Sequence, residues 1–352
     1  MSVNEVSPLK KTRDSWFDNA KAFLIVNVVI GHLAYGGFST TTYWVIALQK
    51  FIYIYHMPAF MIITGRFARK RIDNNDWVTV VEKSLLPYLL LQTLMLVFYS
   101  AFGKSGAKFN YFVPLFGLWY LFNVAVYGLV TPTLKKCKWL FPLSVLAMLG
   151  VGFAFGELYG GFARIVTMYP YFLFGYYTSK YDFNICKKIP FRILSYLAFI
   201  GLGLFVLIYN KDISYSMLTN NKTYLTIAEP MGWRVREAFA INIIRYLLGF
   251  AFFFVIMGMV PSKKTFYSYL GTNSTYVYVL HLFIIIALRS IDGKYDILSV
   301  LTDRYRLLLY CFSGVPLAFI LASKPVRKLT RFIVEPDINL KRMWAKVMKT
   351  DK

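Results

Sequence analysis

Acidic residues are scarce in this chain of 352 residues, 17 Asp and Glu against 40 Lys and Arg, and charged residues of both signs reach only 16%. Soluble domains carry about a quarter charged residues, so a fully solvated surface cannot be built from this composition. Cysteine is nearly absent. Cys137, Cys186 and Cys311 form no even framework and have no metal-ligand spacing, which leaves free thiols and no expected metal site. The polar N-terminus through Arg13 lacks the apolar core and small-residue cleavage site of a signal peptide, so the first apolar block is expected to stay in the mature protein. No internal repeat suggests the paired halves of a transporter.

Apolar residues are abundant. They make up 57% of the chain, aromatics alone 19%, and mean hydropathy is +0.51. They fall in long blocks of the length, about 20 residues, that a bilayer core demands of a helix. The blocks do not alternate as barrel strands do, and backbone groups in lipid must be paired within the segment. The expected fold class is therefore an all-α integral membrane protein of about ten transmembrane helices. They lie near 17–36, 44–65, 85–102, 112–131, 139–156, 161–178, 191–209, 238–260, 269–289 and 305–322.

A net charge of +23 in a soluble protein would suggest nucleic acid; here the charges segregate by loop. Lys10, Lys11, Arg13, Arg66, Arg69, Lys70, Arg71, Lys83, Lys135, Lys136, Lys138 and their counterparts in alternate loops and the tail give roughly 26 bases on one side against 9 on the other. By the positive-inside rule both termini are cytoplasmic, and nucleic acid is not an expected partner. The expected division is a cytoplasmic segment 1–15, a membrane domain 16–322 and a basic tail 323–352 set on anionic membrane lipids, in a multi-pass cell-membrane protein of a bacterial envelope. The longest external loop, about Asn210 to Glu237, carries Tyr215, Tyr224, Glu229, Trp233 and Arg236; it reads as a plain connector or as a substrate-facing segment.

The only histidines, His32, His56 and His281, all fall inside expected spans, where ionisable groups are costly and are functional candidates. At 1.5 Å rise per residue they share a level: His32 lies about 16 Å beyond Lys21, His56 about 15 Å above Arg66, and His281 about 15 Å beyond Gly271. Lys21, Arg66 and Arg69 mark the inner boundary below them. Cations at a cytoplasmic mouth suit an anionic donor such as a nucleotide phosphate, and a mid-membrane neutral imidazole suits a general base for a hydroxyl. An acyl-CoA has the matching shape, with a phosphate-rich head, a thin arm and a thioester tip. The same histidines also fit a proton-coupled permease or a lipid-linked sugar flippase.

At these residues the chain resembles the membrane-bound acyltransferase family 3. Lys21 and His32 match its Arg/Lys, ten residues, His spacing. His56-Met57-Pro58-Ala59-Phe60 through Thr64-Gly65 is similar to its "MP-aromatic-SG" segment, with Thr64 in place of Ser. Arg66-Phe67-Ala68-Arg69 fits an Arg-x-x-Arg, Trp119-Tyr120-Leu121 recurs, and Gly271-Thr272-Asn273-Ser274 with Tyr278 and His281 resembles "G-x-N-S…Y-x-x-H". The opening Phe17-Asp18-Asn19-Ala20-Lys21 looks most like the fucose O-acetylase branch. The resemblance implies acetyl transfer from cytoplasmic acetyl-CoA, a cosubstrate and not a tightly bound cofactor, to a hydroxyl of an extracytoplasmic glycan or lipid-linked sugar. It implies His32 as catalytic base or acyl relay, Lys21 in support of it or of the donor, and Arg66 and Arg69 on donor phosphates. His56 and His281 line the chamber, with Asp18, Ser274, Tyr278, Trp119 and Arg245 as further candidates.

Asp18 also reads as an ion-pair partner of Lys21 at the helix entrance. Arg245 sits inside a span and needs a buried partner or a cavity. Arg289 is expected to extend outward to the interface. Glu157 and Arg164 flank the Gly160-Gly161 turn, and most Tyr and Phe are expected to face lipid or the membrane interface, with a few free to stack on a sugar.

Overall fold

A computed structural model of the chain describes residues 14–34, 43–101, 110–154 and 161–336. The segment before Asp14, Lys104, Lys108, Glu157 and the tail beyond Pro336 lie outside the described residues. Among the described residues there is no strand, and each of the ten expected segments is helical. The helices are α1 Ser15–Leu33, α2 Tyr43–Asp73, α3 Trp77–Ala101, α4 Phe116–Leu134, α5 Leu140–Phe153, α6 Phe162–Tyr177, α7 Ile189–Ile208, α8 Val235–Met259, α9 Ser274–Tyr295 and α10 Asp303–Ala322. Seven of these (α2, α3, α4, α7, α8, α9 and α10) are long and apolar enough to cross a membrane. The other three fall short: α1 carries Asp18 and Lys21, α5 is brief, and α6 has 16 residues.

Local chemistry sets the helix ends. Asp14 caps α1 by accepting from the backbone N–H of Trp16 at 3.0 Å, which satisfies a donor that has no partner within the helix. Asp76 caps α3 in the same way through Thr79. Within α3 the backbone widens to a π-turn at Val81–Leu85, just before Pro87, whose ring nitrogen has no proton to give. Helix α2 continues past the expected edge to Asp73, so Arg66, Arg69 and Arg71 ride on one continuous helix.

α2 is the axis of the bundle. In its apolar window 72% of residues are buried, against 17% in α7, which turns Ile193, Leu197 and Leu204 outward as a lipid face. Small residues allow the closest approaches. A Cβ on Gly65 would strike the carbonyl of Phe172, and one on Gly175 the carbonyl of Ile62. The α2 and α6 backbones therefore touch, as membrane helices do where no side chain intervenes.

Besides the exposed aromatics, the bundle interior holds tyrosines of its own. Tyr55, Tyr88, Tyr127, Tyr171 and Tyr224 are each at most 1% exposed. Each hydroxyl finds an acceptor on another segment: Asn27 Oδ1 and the carbonyls of Tyr111, Ile165, Tyr246 and Leu149. With no water to compete, a phenol that bonds a neighbouring helix joins the segments better than a phenylalanine would.

After α10 the chain turns into α11, Lys324–Val334. Lys324, Arg327, Lys328 and Arg331 share one face, while Leu329 and Phe332 are exposed on another. That is the pattern of a helix lying in the membrane surface.

Candidate active site

Two of the three histidines meet. His32 Nδ1 lies 2.8 Å from His281 Nε2, their rings 8° from coplanar. His281 Nδ1 lies 2.9 Å from the carbonyl of Val277, one turn back on α9. A carbonyl only accepts, so Nδ1 of His281 carries its proton and Nε2 is a lone pair. The contact with His32 then needs the proton on His32 Nδ1, and His32 Nε2 is left as the free base. The tautomer of each ring follows from this network. The order of the two N–H bonds leaves the basic nitrogen on the ring that borders the cavity described below.

His32 stands in the last turn of α1, where backbone carbonyls lack intrahelical donors. Arg289 supplies one: its Nη2 donates to the carbonyl of His32 at 2.6 Å. The same guanidinium lies over Phe116, whose ring is 5.0 Å from the imidazole. Arg289 was expected to reach outward; instead it is buried and fixes the end of α1. Gly117 lies beside the imidazole and leaves room for Leu282, with which a Cβ there would collide.

His32 lines a cavity of about 100 Å³, together with His56, Tyr53, Trp119, Arg164, Tyr215 and Asn220. His56 is oriented as His281 is, with Nδ1 2.8 Å from the carbonyl of Ile52, so its Nε2 is likewise a lone pair. Arg164 lies over the Trp119 ring at 5.3 Å. The turn at Thr219 and Asn220 is held by cations from two helices, the half-buried Arg164 and the buried Arg245. Arg164 Nε donates to the Thr219 carbonyl at 3.0 Å, and Arg245 Nη1 to Asn220 Oδ1 at 2.7 Å. A third cation, Lys50 on α2, donates to the Asn210 carbonyl at 2.6 Å. Asn220 has φ +58°, a left-handed conformation that asparagine tolerates. The segment after α7 is therefore a wall of the His32 cavity, and Arg245 is its support, with no place in the cavity lining.

A second cavity, about 250 Å³, lies toward the opposite helix ends. Thr64, Arg71, Lys83, Ser84, Tyr120 and Ser274 line it. Lys83 and Ser84 belong to the π-turn, a feature common at functional sites. The two cavities share three wall residues, Val28, Met57 and Tyr278.

The remaining candidates stand elsewhere. Lys21 pairs with Asp18 at 2.7 Å and lies over Phe67; neither lines either cavity. Arg66 donates to the carbonyls of Thr178 and Tyr181 and lies between the rings of Phe17 and Phe183. Arg69 bonds Asp73 and Ser179. Both arginines hold the loop after α6, while the cavity takes Arg71 and Lys83. Sequence spacing passed over these two because they sit among other loop cations; the only local signal was Pro87 shortly after Lys83.

A family model described as an acyltransferase domain, of acyltransferase family 3, matches residues 14–323. The nodulation protein NolL of Sinorhizobium fredii (strain NBRC 101917 / NGR234) is 29% identical over 182 residues, 47% of this chain and 48% of its own. The NolL protein of Mesorhizobium japonicum (strain LMG 29417 / CECT 9101 / MAFF 303099) is 38% identical over 97 residues, 25% of this chain and 26% of its own. The chain thus matches at most about half the length of these curated relatives. No solved structure matches. A match that spans α1 to α10 and both halves of the histidine pair makes the chain a multi-pass membrane protein of acyltransferase family 3.

Proposed function

We propose that the protein transfers an acyl group, acetyl in the first instance, from acyl-CoA on the cytoplasmic side to a hydroxyl of a glycan or lipid-linked sugar on the other side. Cytoplasm is assigned to the side with Arg71 and Lys83 by the excess of bases in its loops. The carrying observation is that two cavities, reaching toward opposite helix ends, abut beside a histidine whose N–H is committed to a second histidine.

In this mechanism Arg71 and Lys83 bind the donor phosphates, Arg71 offering a planar fork and Lys83 a point charge. The arm of the donor runs along α2; the 14 residues from Arg71 to Met57 cover about 21 Å. The acceptor sugar enters the outer cavity, where Tyr53, Trp119 and Tyr215 offer apolar ring faces and Arg164 and Asn220 offer polar contacts. His32 Nε2 takes the hydroxyl proton as the oxygen attacks the thioester carbonyl, and the C–O bond forms. The C–S bond then breaks, and the imidazolium returns the proton to the departing thiolate. His281 keeps His32 in the required tautomer and accepts the N–H bond that strengthens when the ring becomes cationic, the part a carboxylate plays in a hydrolase triad.

The test is transfer of radiolabelled acetyl from acetyl-CoA into the glycan fraction of membranes containing wild type or His32→Ala. Loss of label with unchanged protein level is expected. Wild-type labelling by His32→Ala would refute the mechanism, and flux of an unmodified sugar without acyl-CoA would favour a transporter.

A further inference from the structure

We propose that the partition between the two cavities is the acyl-size filter of this transfer, with Met57 and Val28 as its specificity-determining side chains. The proposal rests on the donor and acceptor assignment above.

Val28, Met57 and Tyr278 are the residues common to both cavities, and they are 2%, 9% and 7% exposed. Tyr278 is pinned. Its hydroxyl donates to the Gly117 carbonyl, and its ring lies 5.3 Å from Tyr120, whose hydroxyl meets Thr64 Oγ1. Val28 is stiff, because β-branching leaves one favoured rotamer on a helix. Met57 is the adaptable member, unbranched and polarisable.

Position ties this partition to the chemistry. Val28 lies four residues before His32, on the same face of α1. Met57 follows His56, which borders the outer cavity. With the arm below and the hydroxyl above, the thioester carbon must lie at the partition for the attack to occur. The acyl chain then has only the apolar space bounded by Val28 and Met57. Of the acyl groups, acetyl demands the least displacement of these walls. Each further methylene must move Met57, since neither Val28 nor Tyr278 can yield. The reaction is unchanged by chain length: one C–S bond breaks, one C–O bond forms, and the hydroxyl proton ends on the thiol.

The experiment uses the full-length protein in host membranes and compares kcat/KM for radiolabelled acetyl-, propionyl- and butyryl-CoA. A methylene in an apolar pocket is worth roughly 10–200-fold in discrimination. Met57→Ala is therefore expected to raise the butyryl-to-acetyl ratio about tenfold or more, with inhibition by free CoA unchanged. Met57→Leu, which conserves volume, is expected to keep the wild-type ratio. Val28→Ala repeats the test from the other wall if Met57→Ala does not accumulate. Active Met57→Ala and Val28→Ala proteins with the wild-type ratio would overturn the filter alone. A wild type inactive with every acyl-CoA would overturn the donor assignment beneath it as well.

Discussion

The two cavities meet at three residues, yet they are made from different materials. The inner one takes its polar groups from helix side chains: Thr64 and Arg71 of α2, Lys83 and Ser84 of the α3 π-turn, and Ser274 at the start of α9. The outer one takes much of its wall from a connecting segment, Tyr215 through Asn220, which Arg164 and Arg245 tie to α6 and α8. Sites on helices are positioned by packing, whereas a loop needs dedicated supports. A donor of fixed chemistry suits the first construction. A loop can change without disturbing the bundle, which suits the proposed role of this cavity in holding a variable acceptor.

The largest effect should come from the junction, which serves both sides. His281→Leu removes the acceptor for the His32 N–H and frees the wrong tautomer. The turnover number should fall by about 10²–10⁴-fold, the usual worth of a positioned base, with little change in the KM of either substrate. Steady-state kinetics with both substrates varied would check it. A proportionate rise in KM would mean that His281 only shapes the cavity. Next comes the donor side alone. Arg71→Ala should raise the acyl-CoA KM by about 10-fold or more, since a hydrogen bond to a charged group contributes about 1.5–3 kcal/mol. The acceptor KM should stay put, and a shift in it would break the separation of the two cavities.

The sequence reveals the helices because lipid permits few alternatives: a block of about 20 apolar residues must close its own hydrogen bonds. It also reveals the shared depth of His32 and His281, because helical rise is nearly constant. It does not reveal which partner each cation takes. Arg66, Arg69 and Arg71 occupy one helix within two turns, and a rotation of about 100° per residue sends Arg71 to a different neighbour from the other two. Only the packing of α2 on α6, set by Gly65 and Gly175, sends Arg66 to the loop carbonyls and Arg71 to the cavity. Arg289 was misread for a related reason. Its acceptor is the free carbonyl at the end of α1, 257 residues away in sequence, and no local pattern announces it.

The outer wall should respond less than the junction or the donor mouth. Arg245→Met keeps the length and apolar stem of the side chain but removes its donor to Asn220 Oδ1. The acceptor KM should rise several-fold while the acyl-CoA KM stays unchanged. Asn220→Ala should act in the same direction. If Arg245→Met instead raised the donor KM, the connecting segment would be serving the whole bundle and not one cavity.

The smallest expected kinetic effect belongs to Arg66, the residue that spacing alone would place on the donor. Its guanidinium is already engaged by two backbone carbonyls and two aromatic rings on the loop after α6. Both carbonyl bonds use Nη1, and the flanking rings hold the guanidinium on this loop, outside the lining of the inner cavity. Arg66→Ala should therefore leave the acyl-CoA KM within about twofold, because it removes no contact worth 1.4 kcal/mol, a factor of ten, from the donor. It should instead lower the thermal midpoint of the purified protein, and acetyl-CoA should still raise that midpoint by the wild-type increment. An Arg66→Ala protein that keeps its midpoint but no longer responds to acetyl-CoA would move the donor head from the Arg71–Lys83 mouth to the α2–α6 seam. The inner cavity would then need another occupant.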